Sequence, residues 1–214
     1  REIVDAYVLA SGGTLAAARE AVARRTLAGH LGGGFHHAFA GHAEGFCYIN
    51  DIAVAIRVLQ REERIGRALV ADLDLHQGNG TAHIFRDDAS VFTFSMHQEA
   101  NYPAKQQSDL DIGLDDGAGD TEYLAALRRV WPGMLDRHKP DLVIYVAGAD
   151  PYEDDQLGAL KLTMDGLRTR DELILTALHG RGIPGAVVLA GGYARHLDRS
   201  EERRVGKQCR SRWS

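Results

Sequence analysis

A chain of 214 residues with 44% apolar and 26% charged residues suits one soluble domain with a sizeable core, or a large piece of one. Its net charge of −5 carries no nucleic-acid footprint, and no apolar run reaches the roughly 18 residues that a membrane span needs. Two cysteines, Cys47 and Cys209, are too few for a disulfide framework and no signal peptide is visible. A reducing compartment is expected: cytoplasmic, or nuclear in a eukaryote.

The chain starts at Arg1 inside helix-like sequence, as a fragment would. Thr14 predicts the cap of an Ala- and Arg-rich helix reaching about Ala28. Asn50 or Asp51 predicts the cap of a second, with Ile52, Ala55, Ile56 and Leu59 on one face. Arg67 to Asp72 reads as a short buried strand and Ser90 to Ser95 as the next. The acidic stretch Asp109, Asp111, Asp115, Asp116 and Asp120, broken by glycines, reads as a solvated loop rather than a calcium loop. Asp120 or Thr121 opens a helix to about His138, with a kink expected at Pro132. Asp141 to Ala147 is a near-continuous apolar strand, Thr163 opens a helix to about His179, and Gly185 to Ala190 is the last strand. Fully apolar strands separated by helices predict an α/β fold, a parallel sheet covered on both faces.

Polar motifs collect where those strands end. Asp72-Leu73-Asp74-Leu75-His76 sets two carboxylates and an imidazole at alternate positions, which an extended strand turns to one side. Asp150 follows Gly148-Ala149 at the end of a second strand, and Tyr193 follows Gly191-Gly192 at the end of a third. Open α/β sheets bind ligands outside the carboxyl ends of their strands. Two carboxylates and one imidazole suit a divalent cation, zinc above all. His36-His37 lies in a Gly-rich stretch with no core to fill, and such a pair beside metal ligands points to metal-assisted hydrolysis.

Five ordered motifs carry a resemblance. Gly33-Gly34-Phe35-His36-His37-Ala38, Gly45-Phe46-Cys47-Tyr48-Ile49-Asn50-Asp51, Asp72 through Gly80, Gly148-Ala149-Asp150 and Gly191-Gly192-Tyr193 resemble the zinc-dependent histone deacetylases, over Gly12 to about Arg199. Asn79, where many members carry Asp, and Tyr102-Pro103-Ala104-Lys105-Gln106 look most like the class IV and bacterial branch. The resemblance implies the three-layer arginase/deacetylase fold, with a mostly parallel central sheet.

It also implies roles. Asp74, His76 and Asp150 match the ligands of one zinc ion. His37 matches the general base and then acid, His36 an electrostatic partner, Asp72 the carboxylate orienting His36, and Asn79 the partner of His37. An amide at Asn79 implies a lower pKa for His37 than Asp would. Tyr193 matches the donor to the oxyanion. Gly45 and Phe46 match one wall of an acyl-lysine tunnel, and Tyr102 supplies the opposite wall. The backbone around Asp72, Asp74, His76 and Ser95 matches a structural potassium site, with a second near Phe85, Asp88 and Val91. Cys47 reads as a buried small residue. Glu153-Asp154-Asp155 is expected on the site rim or capping a turn, and Lys105 paired with it or in solvent. The related arginase-type hydrolases use two manganese ions and further carboxylates, but Gly78 and Tyr152 occupy those positions, so one metal is expected.

The implied reaction is removal of acetyl groups from lysine side chains. Acetylated polyamines or other small amides are one alternative, and an inactive truncated module that binds acyl-lysine or metal is another. The expected partner is therefore an acetylated peptide or small amine, with neither nucleic acid nor membrane bound directly. Residues 1–199 are expected to form a partial catalytic domain. Residues 200–214 hold five basic residues without apolar periodicity and resemble translated adapter sequence, so a non-native tail is expected there.

Overall fold

A computed structural model describes residues 2–196. The expectations for the tail and for a boundary at Arg199 lie outside the described residues. In chain order the elements are α1 (Glu2–Arg24), β1 (Leu27–His30), α2 (Asp51–Arg61), β2 (Ala68–Asp72), α3 (Asn79–Phe85), β3 (Val91–Gln98), β4 (Leu110–Leu114), α4 (Asp120–His138), β5 (Leu142–Val146), α5 (Met164–Arg181) and β6 (Gly185–Val188). The six strands form one sheet in the order β1-β6-β5-β2-β3-β4, and each neighbouring pair is parallel.

Strand alternation builds the two cores. On β5, Val143 and Tyr145 face one side and meet Leu127 and Leu135 of α4 and Ile174 and Leu178 of α5. Leu142, Ile144 and Val146 face the other side, toward Ala18 and Ala21 of α1 and Ile52, Ile56 and Leu59 of α2. Each fully buried side chain of this size contributes about 1.5–3 kcal/mol of transfer free energy. The apolar strands thus give the covered parallel sheet that the sequence predicts. No helix among the described residues is long and apolar enough to cross a membrane.

Several elements depart from expectation. α1 begins well before Thr14, which is buried in its interior and donates from Oγ1 to Asp51 Oδ2 at 2.5 Å. Gly12-Gly13 looks like a break, but a Cβ at Gly13 would lie 2.4 Å from His30 Nε2, so the missing side chain admits the imidazole of β1. α1 ends at Arg24, with Arg25 at φ +49° turning the chain into β1, which the sequence reading missed. Asn50 rather than Asp51 caps α2, its Oδ1 accepting from Ala53 N. α4 continues through Pro132.

The acidic stretch is not simply a solvated loop. Leu110–Leu114 pairs with β3 as an edge strand, and the aspartates around it are structural acceptors. Asp109 accepts from Thr93 N and Oγ1, Asp111 from Gln77 and Ser108 N, and Asp120 from Thr163 N and Oγ1. The Leu110, Ile112, Leu114 alternation is hidden by the aspartates between them. The Gly-rich stretch after His76 likewise conceals α3.

The strand order places the site. After β2 the chain moves outward to β3 and β4, and α4 then carries it back to β5 on the other side of β2. The loops leaving β2 and β5 therefore diverge and open a crevice between their carboxyl ends, the general ligand position of such sheets.

Candidate functional site

The strand β2 ends at Asp72, so Asp74 and His76 lie on the loop beyond it and not on an extended strand. Their convergence comes from hydrogen bonds to the loop's own backbone. Asp72 Oδ1 accepts from Asp74 N at 3.2 Å, and Asp74 Oδ1 accepts from His76 N at 2.9 Å. Asp150, on the loop after β5, accepts from Leu75 N at 2.9 Å, and Gly191 N, beyond β6, donates to Asp74 Oδ2 at 2.9 Å. Three strand ends are tied together in this way.

The three expected metal ligands meet. Ligand atoms of Asp74, His76 and Asp150 all lie within 4.8 Å of one another, and all three residues are buried. His76 Nδ1 is 3.3 Å from Asp74 Oδ1 and 3.2 Å from Asp150 Oδ2. Burial and the neighbouring Asp74 push the Asp150 carboxyl up to about 7. Burial opposes charge on His76, yet Asp150 and Asp74 outweigh it and raise the imidazole to about 10. Two carboxylates facing each other out of water make a field that a divalent cation would satisfy, so the donor set fits one such ion.

The tandem histidines are both buried, with ring centroids 4.1 Å apart. The loop that carries them is held by Asp51, whose carboxylate accepts from Gly34 N at 2.9 Å and Phe35 N at 2.7 Å. His36 Nδ1 donates to Asp72 Oδ2 at 2.7 Å. Burial lowers its pKa, but Asp72 and Asp74 prevail and raise it to about 9. His37 Nδ1 lies 2.8 Å from Asn79 Oδ1. Burial and the charge on His36 hold His37 down at about 3, although its hydrogen bond with Asn79 opposes them. Gly78 sits hard against Asp72 and His36, so a second-metal carboxylate has no room there.

A cavity of about 760 Å³ opens above these groups. The turn Glu44 to Cys47 forms one wall, closed by backbone hydrogen bonds in both directions between its ends. Gly45 has φ +53°, and a Cβ there would lie 2.4 Å from the His37 ring, so only glycine fits. Phe46 has φ +63° and is 77% exposed. Tyr102 faces this turn, its ring 5.1 Å edge-on to His37. Tyr193 lines the cavity, and burial together with Asp150 raises its hydroxyl to about 12.

Cys47 is buried and pushed up to about 12 by that burial, which leaves a neutral thiol rather than a nucleophile. Asp155 accepts from Tyr193 N at 2.6 Å and Leu157 N at 2.8 Å, so the acidic run after Asp150 holds the Tyr193 segment. Lys105 neither pairs with that run nor reaches solvent freely; its Nζ donates to Asn101 O at 2.7 Å. Ser95 sits beside Asp72 in the sheet register, with Oγ 2.9 Å from His97 Nδ1. In the α3–β3 turn, the Asp88 carboxylate engages Ser90 and Arg57.

Sequence reasoning missed four contributors. Tyr7 of α1 lines the cavity, and its hydroxyl donates to Phe46 O. Asp51 was read only as a cap. Glu44 accepts from Asn79 Nδ2 and from Tyr102. Arg170 of α5 is fully buried and donates from Nη1 to Leu73 O at 3.0 Å and Gly148 O at 2.9 Å, joining the β2 and β5 loops from below. A charged residue on an amphipathic helix gives no sign of this in sequence.

Comparison with known proteins agrees with the geometry. The sequence model of the histone deacetylase domain matches residues 1–205. The chain is 46% identical to an uncharacterized protein of Picosynechococcus over 91% of its own length and 65% of that protein's. It is 37% identical to histone deacetylase 2 of Arabidopsis thaliana, covering 85% of this chain and 48% of that one. It is 34% identical to the acetoin utilization protein AcuC of Bacillus subtilis, covering 88% and 52%. The crystal structure of the HDA15 HD domain superposes with a TM-score of 0.76 at 30% identity, over 92% of this chain and 61% of that one. The chain thus spans about half to two-thirds of the length of these relatives. With residues 1–205 of its 214 matched by the family's domain model, the chain belongs to the histone deacetylase family.

Proposed function

We propose that this chain carries the catalytic centre of a one-zinc amidohydrolase that removes acetyl groups from lysine side chains or from similar small amines. One observation carries the proposal: Asp74, His76 and Asp150 converge directly beside two histidines, each oriented through Nδ1 by its own acceptor, beneath a cavity. A bound zinc ion supplies Lewis-acid polarisation of the amide carbonyl and lowers the pKa of water. Asp74, His76 and Asp150 would hold it.

The chain's own residues supply the rest. With Nδ1 turned to Asn79, His37 presents Nε2 to the cavity and is neutral at neutral pH, the state a general base requires. It takes the proton of the attacking water and passes it to the leaving amine. His36, charged beside Asp72, stabilises the negative charge that develops. The Tyr193 hydroxyl keeps its proton at neutral pH and donates to the carbonyl oxygen as that oxygen gains charge. Gly45, Phe46 and Tyr102 wall the acyl-lysine stem. A structural potassium ion belongs to the same proposal, at the backbone around Asp72, Asp74 and His76 beside Ser95. Its support is the register that places Ser95 next to Asp72.

The test is acetate release from an acetyl-lysine peptide, with and without a chelator. The expected result is chelator-sensitive release that falls by more than about 10² in Asp150→Ala, since even the outer partners of metal ligands are worth 10–100-fold. Chelator-resistant release, or full activity in Asp150→Ala, would overturn the proposal.

A further inference from the structure

We infer that Glu44 is a positioning residue for the general base, resting on the deacetylase reading: it fixes the orientation of the Asn79 amide, and through it the tautomer of His37. The chain of contacts is continuous. Asn79 Oδ1 is 2.8 Å from His37 Nδ1, Asn79 Nδ2 is 2.8 Å from Glu44 Oε1, and the Tyr102 hydroxyl is 3.0 Å from that same oxygen.

The need for such a residue follows from the chemistry of the amide. A carboxylate beside His37 could only accept, and would force the proton onto Nδ1. An asparagine presents an acceptor on one side and a donor on the other, and rotation by half a turn exchanges them. In the exchanged orientation Nδ2 would donate to His37 Nδ1, the imidazole proton would move to Nε2, and the base would have no lone pair toward the substrate. An ionised Glu44 has no proton to give. Of the two ends of the Asn79 amide it can accept only from Nδ2, so Oδ1 must face His37. The carboxylate absent at position 79 is thereby replaced one residue farther out, on the turn that forms the tunnel wall.

The same oxygen accepts from Tyr102, so the wall and the base share one anchor. The second carboxylate oxygen of Glu44 faces His42 Nε2 at 3.5 Å on the exposed side. Nothing in the motif of residues 72–80 indicates a partner at position 44, and an Asn at position 79 gains a definite function only with Glu44 in place.

The proposal is tested in two backgrounds. Glu44→Gln keeps the size and can still accept from Tyr102, but its amide allows both orientations of Asn79. It should lower kcat about tenfold with KM within about twofold, which corresponds to about 1.4 kcal/mol in the barrier. In Asn79→Asp, His37 has its own carboxylate and Glu44 becomes a second negative charge against it. There Glu44→Gln should raise kcat, a reversal of sign. A readout independent of activity is the long-range proton–nitrogen NMR spectrum of the histidine rings in the full chain. Wild type should show His37 protonated at Nδ1, and Glu44→Gln a mixture of the two tautomers. An unchanged tautomer in Glu44→Gln overturns the proposal. So does an equal loss of kcat in both backgrounds, through misfolding or otherwise, because a residue that merely holds the turn behaves that way. If no acetyl-lysine substrate is cleaved at all, the tautomer still decides for or against Glu44, while the deacetylase reading falls on its own test.

Discussion

The floor and the rim of the site are built by different means. The floor consists of the loops after β2, β5 and β6, and its Asp72, Asp74, His76 and Asp150 side chains are buried. Backbone amides of Asp74, Leu75, His76 and Gly191 donate to carboxylates, and Arg170 donates from below to the carbonyls of Leu73 and Gly148. The rim consists of the Glu44–Cys47 turn and Tyr102, with Phe46 77% and Tyr102 43% exposed. A low local dielectric makes each floor contact strong, and equally makes an unpaired group there costly. At the rim, water replaces whatever is lost. On the proposed function, chemistry falls where geometry is enforced, and substrate contact where more of the surface meets water.

The largest effect should come from removing the floor's support. Arg170→Met keeps the volume but leaves the Gly148 carbonyl without its donor, leaves the Leu73 carbonyl only the Tyr123 hydroxyl at 3.5 Å, and removes the guanidinium that faces Asp171. Breaking a buried pair in this way typically costs about 3–5 kcal/mol; because Asp171 is partly exposed, about 3 kcal/mol is expected. Urea unfolding of the purified variant measures it. A loss below about 1 kcal/mol would mean that the two loops hold each other without Arg170, and the distinction between floor and rim would fail.

Legibility in the sequence followed the same division. The apolar strands from Leu142 and from Ala68 stood out because both faces are buried and nothing interrupts them. The cluster of Asp74, His76 and Asp150 and the tandem histidines were legible because those residue types are costly inside a core without a partner. The alternation argument for Asp72, Asp74 and His76 anticipated their convergence by the wrong route, since a loop and not a strand carries the last two. Glu44, Asp51, Tyr7 and Arg170 were not legible as site residues. Each acts across 16 to 97 residues of sequence through a hydrogen bond, and no local pattern encodes the partner of such a bond. β1 and β4 were hidden by short length and by aspartates that look solvated.

A middle case lies where the two regions meet. His97, near the end of β3, is buried beside Ser95 and within the influence of Lys105, with Glu99 3.7 Å away. Burial, Lys105 and His36 hold it down at about 4 against an ordinary 6.5, although Asp111 opposes them. The unfolded chain therefore takes up a proton first as pH falls. The stability this provides is complete above about pH 6.5 and is lost between there and about pH 4. Between pH 7 and pH 5, wild type should lose about 1–2 kcal/mol more than His97→Gln, measured by urea unfolding at both pH values. Equal losses would show that His97 is hydrated in the folded protein, and that the floor's dry environment stops short of β3.

The smallest effect on stability, and the most selective effect on function, belongs to Phe46. Its side chain is 77% exposed, while the contact that fixes the turn, from the Tyr7 hydroxyl, goes to its backbone carbonyl. Phe46→Ala keeps that carbonyl and a residue with the same left-handed constraint, so stability should change by less than about 0.5 kcal/mol. One face of the tunnel is lost for the alkyl stem of the substrate, equivalent to roughly one buried methylene or about 0.8 kcal/mol. Such a loss is shared by ground state and transition state, so KM for an acetyl-lysine peptide should rise about three- to fivefold with kcat unchanged. Steady-state kinetics separates the two constants. A fall in kcat instead would mean that Phe46 positions the amide as well as holding its stem, because only a contact that strengthens in the transition state acts on the chemical step.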